Sequence, residues 1–446
     1  MASSIQRRDF LRNLSLTGTS VLLSPLLSSA NSFFTGSPNN KVVLGIMGTH
    51  SRGTFLAETF AILPDVEIGF ICDPDQKVLE KTIADVYKIT GKKPVGFADI
   101  RKMLEQKGLD GIAIAAPDHW HTPAAIMALQ AGKHVYVEKP CSHNPREGEL
   151  LVAASIKYGK KVQMGSQRRT FNNVKDMINR LHTGAIGRVY FARGWYVNDR
   201  KSIGKGVLTP APAHLNFDLW QGPAPRTGYR SNIVHYNWHW FWNWGTGESL
   251  NNGTHELDVM RWGLGADYPT KVISAGGRFH FSDDWETPDT QTITYNFPNN
   301  TACTWEGRSC NGFNSEGSGR GVIFYGDKGT IVYPGGNSFK VYDAGNKQVA
   351  SVVDDTPYDA TNTVSPLAKL DGQHLHNFCE AIRGNEKINA PILEGHKSTL
   401  LPQLGNIAYR VGRTLDCDAS NGHILNDKEA MKLWSREYEK GWEVKV

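Results

Sequence analysis

Lys41-Val42-Val43-Leu44-Gly45-Ile46-Met47-Gly48-Thr49-His50-Ser51-Arg52-Gly53 is the stretch that decides the fold. Its apolar run reads as a buried strand, and Gly48 to Gly53 as a turn feeding a helix predicted over 54–63. A strand, a glycine-bearing turn and a helix start make a dinucleotide-binding layout. Where that layout places a middle glycine, for close approach to a pyrophosphate, stands His50. Histidine tolerates left-handed backbone better than most residues, though worse than glycine. The helix N-terminus still offers N–H groups to a phosphate. Asp73 follows a second strand, 66–72, and lies about twenty residues beyond Gly53, where a ribose-binding acid belongs. An acid there favours NAD over NADP.

From this stretch to residue 165, strand and helix patterns alternate. Strands are predicted over 42–47, 66–72, 111–115, 134–137 and 161–164, and helices over 54–63, 76–89, 99–106, 122–131 and 145–158. That alternation gives a doubly wound parallel sheet, a Rossmann domain over 41–165. Beyond it, period-two stretches over 271–281, 289–297, 301–308, 320–326 and 329–333 are parted by turns such as Pro298-Asn299-Asn300. They predict a largely antiparallel open sheet. With helices over 254–263, 372–383 and 394–414, residues 166–446 form a second α/β domain. The irregular run 196–250 is too long for an ordinary loop and points to function.

At 446 residues the chain exceeds a single core, and 40% apolar with 21% charged residues is a globular composition. The formal charge of +5 is spread without a basic cluster, which argues against nucleic acid as a partner. Arg7-Arg8-Asp9-Phe10-Leu11-Arg12, a mildly apolar stretch over 14–27 and Ser28-Ser29-Ala30 read as a twin-arginine signal over 1–30, with a polar linker over 31–40. A periplasmic or exported location and the twin-arginine export machinery as a partner are therefore expected. That route carries folded proteins, so a nucleotide loaded before export must be held tightly. No cysteine follows the signal and no later segment is apolar enough to span a bilayer, so no membrane anchor is expected. The six cysteines lack a Cys-x-x-Cys, and no metal site is expected. Cys303 and Cys310 are near enough in sequence to pair, but folding before export argues against dependence on a disulfide.

Ala116-Pro117-Asp118-His119-Trp120-His121 and Val137-Glu138-Lys139-Pro140 close the strands at 111–115 and 134–137. Both fall at carboxyl ends, where an open parallel sheet binds ligands. With these segments the chain resembles the glucose–fructose oxidoreductase / inositol dehydrogenase family, also called Gfo/Idh/MocA, from residue 41 to about 415, as an exported bacterial member. The resemblance implies oxidation or reduction of a secondary alcohol on a carbohydrate or polyol, NAD as cofactor, and a homo-oligomer. Lys139 matches the lysine of the family's Glu-Lys-Pro, which hydrogen-bonds the reacting oxygen and assists proton transfer; a cis Pro140 would aim it. Pro117 and His121 match a Pro-Asn-x-x-His segment near the nicotinamide, with Asp118 replacing the Asn. The cofactor set so implied is Gly48, Thr49, His50, Ser51, Arg52, Gly53, Asp73, Pro117, His121, Glu138 and Lys139. In Asn251-Asn252-Gly253-Thr254-His255-Glu256-Leu257-Asp258, His255 matches the histidine that moves the hydroxyl proton. Asn251 stands where relatives usually carry its Asp partner and is a substrate-site candidate, able to orient a substrate hydroxyl or the imidazole but not to stabilise imidazolium by charge. Asp258, three residues after His255, shares its helix face and is expected to bind substrate or tune the imidazole.

His235-Tyr236-Asn237-Trp238-His239-Trp240-Phe241-Trp242-Asn243-Trp244-Gly245 places four tryptophans on alternate positions. In a strand they would share one face. Aromatic faces stack on the C–H faces of sugars, so Trp238, Trp240 and His239 are substrate-site candidates. A core or an oligomer interface suits tryptophan equally. Tyr196, Asn198, Asp199 and Arg200 are further polar candidates. Three readings stand: a sugar dehydrogenase with retained NAD; an NAD-dependent glycosidase working by transient oxidation and elimination; and a non-catalytic carbohydrate binder. The resemblance implies that the glycosidase relatives lack the Glu-Lys-Pro kept here, and only His50 and Asn251 favour the third.

Overall fold

The computed structural model describes residues 41–357, 364–365 and 367–446; the expected signal and linker lie outside the described residues. A six-stranded sheet comes first, with strands β1 (Val42–Met47), β2 (Val66–Cys72), β3 (Val95–Phe97), β4 (Gly111–Ile114), β5 (His134–Val137) and β6 (Val162–Met164). Its order is β3-β2-β1-β4-β5-β6 and every pairing is parallel. β4 and β5 are almost wholly buried, as strands covered on both faces must be. The helices α1 (Arg52–Ala61), α2 (Gln76–Thr90), α3 (Ile100–Leu104), α4 (Asp118–Gln130) and α5 (Pro145–Tyr158) supply that cover.

The start of one helix differs from expectation for a local reason. α4 starts at Asp118, not 122, because Pro117 is extended and Asp118 sets its carboxylate in the first turn. α2 starts at Gln76 as expected, capped by Asp75, which accepts from the N–H groups of Lys77 and Val78.

The second sheet has nine strands in the order β14-β13-β12-β11-β7-β10-β9-β8-β15. They are β7 (Val189–Val197), β8 (Lys271–Gly277), β9 (Thr290–Phe297), β10 (Thr301–Arg308), β11 (Arg320–Gly326), β12 (Gly329–Tyr333), β13 (Phe339–Asp343), β14 (Gln348–Val352) and β15 (Leu415–Asp416). Residues along β10 alternate strictly between buried and half-buried, the signature of a sheet covered on one face. β7, which the sequence did not reveal, lies at the centre, antiparallel to β11 but parallel to β10, so the sheet is mixed. β8 stops at Gly277, short of the expected 281, because Asp289 takes the N–H groups of Phe279 and His280.

Between β6 and β15 run α6 (Asn172–His182), α7 (Phe217–Gln221), α8 (Glu248–Asn251), α9 (Gly253–Leu264), α10 (Ala368–Arg383) and α11 (Ile392–Val411). α9 and α11 lie on the covered face, where Leu257, Met260, Leu401 and Leu404 meet Ile293, Tyr295, Trp305 and Phe324 in one core. α10 crosses back: Leu375, Phe378 and Cys379 join the core of the first sheet beside Ile46 and Phe60. All six cysteines are free and buried. No described helix is long and apolar enough to cross a membrane.

Candidate functional site

The order of the first sheet reverses between β1 and β4, and a ligand crevice is expected outside the carboxyl ends there. A cavity of about 1480 Å³ opens at that point, between the two sheets. Gly48, His50, Ser51, Arg52, Asp73, Pro117, His121, Glu138 and Lys139 line one side of it. Asn251, His255, Trp238, His239 and Trp240 line the other. Thr49 and Gly53 are not at its surface.

The turn after β1 is built for a close backbone approach. Gly48 has φ +77°, and a Cβ on it would lie 2.5 Å from the backbone of Ala116. A Cβ on Gly53 would lie 1.8 Å from the Gly48 carbonyl oxygen. Left-handed backbone also falls on Ser51, φ +44°, and not on His50 as expected. The His50 side chain is exposed and lies flat on His235, 4.7 Å between ring centres. Thr49 N–H donates to Asp73 at 2.7 Å, which ties the turn to the end of β2. Burial raises the Asp73 carboxyl, opposed by the N–H groups of Thr49 and Asp75. These residues fit a dinucleotide: a turn closed by two glycines at tight backbone approaches, a helix N-terminus and an acid beside it.

Lys139 lies just past the end of β5, and its bond to Pro140 is cis. His121 bridges the two strand-end segments, Nδ1 at 2.6 Å from the Pro140 carbonyl and Nε2 at 2.7 Å from that of Ala116. Behind Lys139, Arg52 donates to Glu138 at 2.7 Å and to Asp371 of α10 at 2.9 Å. Burial alone would raise Glu138; Arg52 and Lys139 hold it below the usual carboxylate value. Lys139 Nζ donates to the Asn251 carbonyl at 2.7 Å and to Asn251 Oδ1 at 3.2 Å. Among the described residues these are its acceptors, which leaves the third N–H of the ammonium for a ligand. Burial lowers the Lys139 pKa against the charges of Glu138 and Asp118.

His255 sits in the first turn of α9. Burial, with the charges of Arg168, Arg320 and Lys139, pushes its pKa well below 6.5, so the ring is a neutral base at pH 7. Asp258 is not part of the cavity. It is buried in a bidentate pair with Arg169, at 2.8–3.0 Å, and accepts from Ser398 at 2.6 Å. The expected substrate or tuning role is thus replaced by an internal one, because Arg169 claims both oxygens.

The tryptophan-rich run is not a strand. Residues Asn237–Trp240 form a 3-10 turn, which sends the rings to different places. Trp238 stacks on His239 at 3.6 Å, and Trp240 stacks on Trp285 at 3.9 Å under Arg200. Trp244 joins Trp220 and Phe241 in a separate small core, and Trp242 lies under Arg410. Burial lowers the His239 pKa well below 6.5. Tyr196, Asn198 and Arg200 also line the cavity; Asp199 does not.

Arg168 and Arg320, which motif and spacing do not single out, act on His255 with their charges. Both are anchored on buried Glu256, at 3.7 and 2.9 Å. Arg168 follows β6, so its place at the carboxyl end of a parallel strand was a usable signal. Arg320 begins β11 and carried none.

Comparison with known proteins agrees with this layout. Residues 42–166 match the oxidoreductase family, NAD-binding Rossmann fold, and residues 195–444 match the oxidoreductase family, C-terminal alpha/beta domain. An alpha-N-acetylgalactosaminidase of Shewanella oneidensis is 25% identical over 214 residues, 44% of this chain and 47% of that protein. The chain thus spans about half the length of the curated relatives it matches. The WlbA dehydrogenase from Bordetella pertussis, solved with NADH and UDP-GlcNAcA, superimposes with a TM-score of 0.63 at 18% identity over 85% of this chain and 99% of that one. A levoglucosan dehydrogenase solved with NADH and levoglucosan gives 0.64 at 17% identity, with 84% and 99% covered. Both halves of the fold, joined through one cavity, are accounted for by a single family, and the chain belongs to the Gfo/Idh/MocA oxidoreductases.

Proposed function

We propose that the protein is an NAD-dependent oxidoreductase acting on a secondary alcohol of a sugar, glycoside or polyol. One observation carries the reading: an ammonium with an unused N–H and a neutral imidazole face the same cavity as the dinucleotide turn. The Gly48–Gly53 turn, the start of α1 and Asp73 would hold the nucleotide, which supplies hydride acceptance when bound. His255 takes the proton of the substrate hydroxyl, and Lys139 donates its third N–H to the same oxygen as it becomes a carbonyl. Asn251 fixes the ammonium without a charge of its own. Trp238 offers an apolar wall to a sugar face, and Trp240, held between Trp285 and Arg200, braces that wall from within.

The relative named alpha-N-acetylgalactosaminidase favours a second reading, in which the same oxidation labilises a glycosidic bond and is then reversed. One experiment separates the two. Purified protein is denatured and assayed for released NAD(H), then native protein is incubated with sugars and aryl glycosides. Net nicotinamide reduction supports the dehydrogenase, and aglycone release without net reduction supports the glycosidase. Protein that contains no nucleotide, takes none up and changes no sugar refutes both.

Export through the twin-arginine route and homo-oligomer assembly belong to this proposal. Arg7→Lys with Arg8→Lys should keep the protein in the cytoplasmic fraction, and light scattering should give a multiple of 49.4 kDa, less the signal. Unchanged fractionation or a monomer mass overturns the respective part.

A further inference from the structure

The irregular segment after β7 does more than wall the substrate side; it also reaches the nucleotide side. Residues 214–216 run antiparallel beside 74–76, immediately after Asp73, with Leu215 bridged to Asp75. Gln76 N–H donates to the His214 carbonyl and Asn216 N–H to the Pro74 carbonyl, both at 2.9 Å. The Asp75 carboxylate, already the cap of α2, takes His214 Nδ1 at 3.1 Å on one oxygen and His235 Nε2 at 2.8 Å on the other. His235 in turn covers His50, the residue in place of the middle glycine, with its ring 10° from parallel. His50, Ser51, Asp73, Pro74 and His235 all border the cavity.

We infer that His214 and His235 form a clasp, latched on Asp75 and His50, that closes the outer edge of the dinucleotide site and slows nucleotide release. The inference rests on the NAD reading above. It gives His50 a purpose: the side chain that replaces a glycine is the seat for the clasp. Asp75 is suited to the latch, because its histidine partners and the α2 amides hold its pKa below the usual value despite burial. The same segment continues into Trp238 and Trp240, so moving the clasp also moves the substrate wall.

NADH is the probe. Its fluorescence on displacement by excess NAD gives the release rate for full-length protein and for His214→Ala and His235→Ala. Release about tenfold faster in each variant, with binding retained, is expected for loss of one bond to a charged carboxylate. By reciprocity, NADH must also hold the clasp shut, so hydrogen exchange at the Gln76 and Asn216 amides should slow when NADH binds. If a variant fails to fold, that exchange measurement on the unsubstituted chain decides alone. NADH bound with unchanged release, or with unchanged exchange at both amides, overturns the clasp only. No NADH binding by the unsubstituted protein overturns the nucleotide reading and the clasp with it.

Discussion

Asn251→Asp introduces the carboxylate that the family resemblance leads one to expect near His255, and it does so against Lys139. Asn251 Oδ1 lies 3.2 Å from Lys139 Nζ. At that distance a unit charge favours the ammonium by about 5 kcal/mol at an effective dielectric of ~20. Two effects oppose this. Position 251 is only 6% exposed, so the new carboxylate is itself desolvated. It also faces Glu248, whose Oε1 now accepts from Asn251 Nδ2 at 3.3 Å. Arg200 neutralises part of Glu248, so a net rise in the Lys139 midpoint of at least about one pH unit survives. Acetic anhydride labelling of Lys139 across pH, read by mass spectrometry, measures that midpoint without any substrate. Asn251→Leu, which removes an acceptor and adds no charge, should move it down. In turnover, the group that must be protonated to donate is lost as pH rises through its pKa, so the alkaline limb of kcat moves up in Asn251→Asp. An unchanged or lowered labelling midpoint in Asn251→Asp would refute the view that this side chain sets the charge of Lys139.

Gly53→Ala pushes a methyl against the Gly48 carbonyl at 1.8 Å and should weaken NADH binding at least tenfold in a fluorescence titration; unaltered affinity contradicts the assigned turn. Arg169→Leu strands Asp258 in the core and should lower stability by about 3–5 kcal/mol in urea melts, whereas a change below about 1 kcal/mol would show that the pair is dispensable. Burial lowers His374 and His396 from 6.5 to about 4. The unfolded chain takes up these protons below pH 6.5 while the folded chain does not. Stability is therefore full above that pH and falls down to about 4, by about 1.4 kcal/mol per proton per pH unit. His374→Gln should reduce that slope by one proton, and an identical slope would mean the ring is not held neutral.

Legibility in the sequence tracked how local the cause was. β1, β4 and β5 stood out because strands covered on both faces are largely apolar runs between turn residues. Lys139 and His255 were found because each follows a local marker, a strand end or a helix start. The strand arrangement expected of the tryptophans failed for the opposite reason, although Trp238 and Trp240 do border the cavity. Their alternation looks like a strand, but among the described residues no strand pairs with this run, and Trp285 and Trp220, distant in sequence, decide where Trp240 and Trp244 go. Asp258 failed similarly, since its fate depends on Arg169, which packs against it from another element. Arg320 owes its place at His255 to the pairing of β11 with β7, a register that composition does not reveal.

The return of α10 to the first sheet orders events in time. Asp371 completes the charge set around Arg52, and Leu375 and Phe378 complete the core beneath β1. Neither exists until most of the polypeptide has emerged from the ribosome. The nucleotide-binding half, although encoded first, therefore finishes folding late, and cofactor loading becomes one of the last steps of maturation. A fragment ending at residue 166 should consequently bind NADH poorly, and firm binding by that fragment would contradict this order.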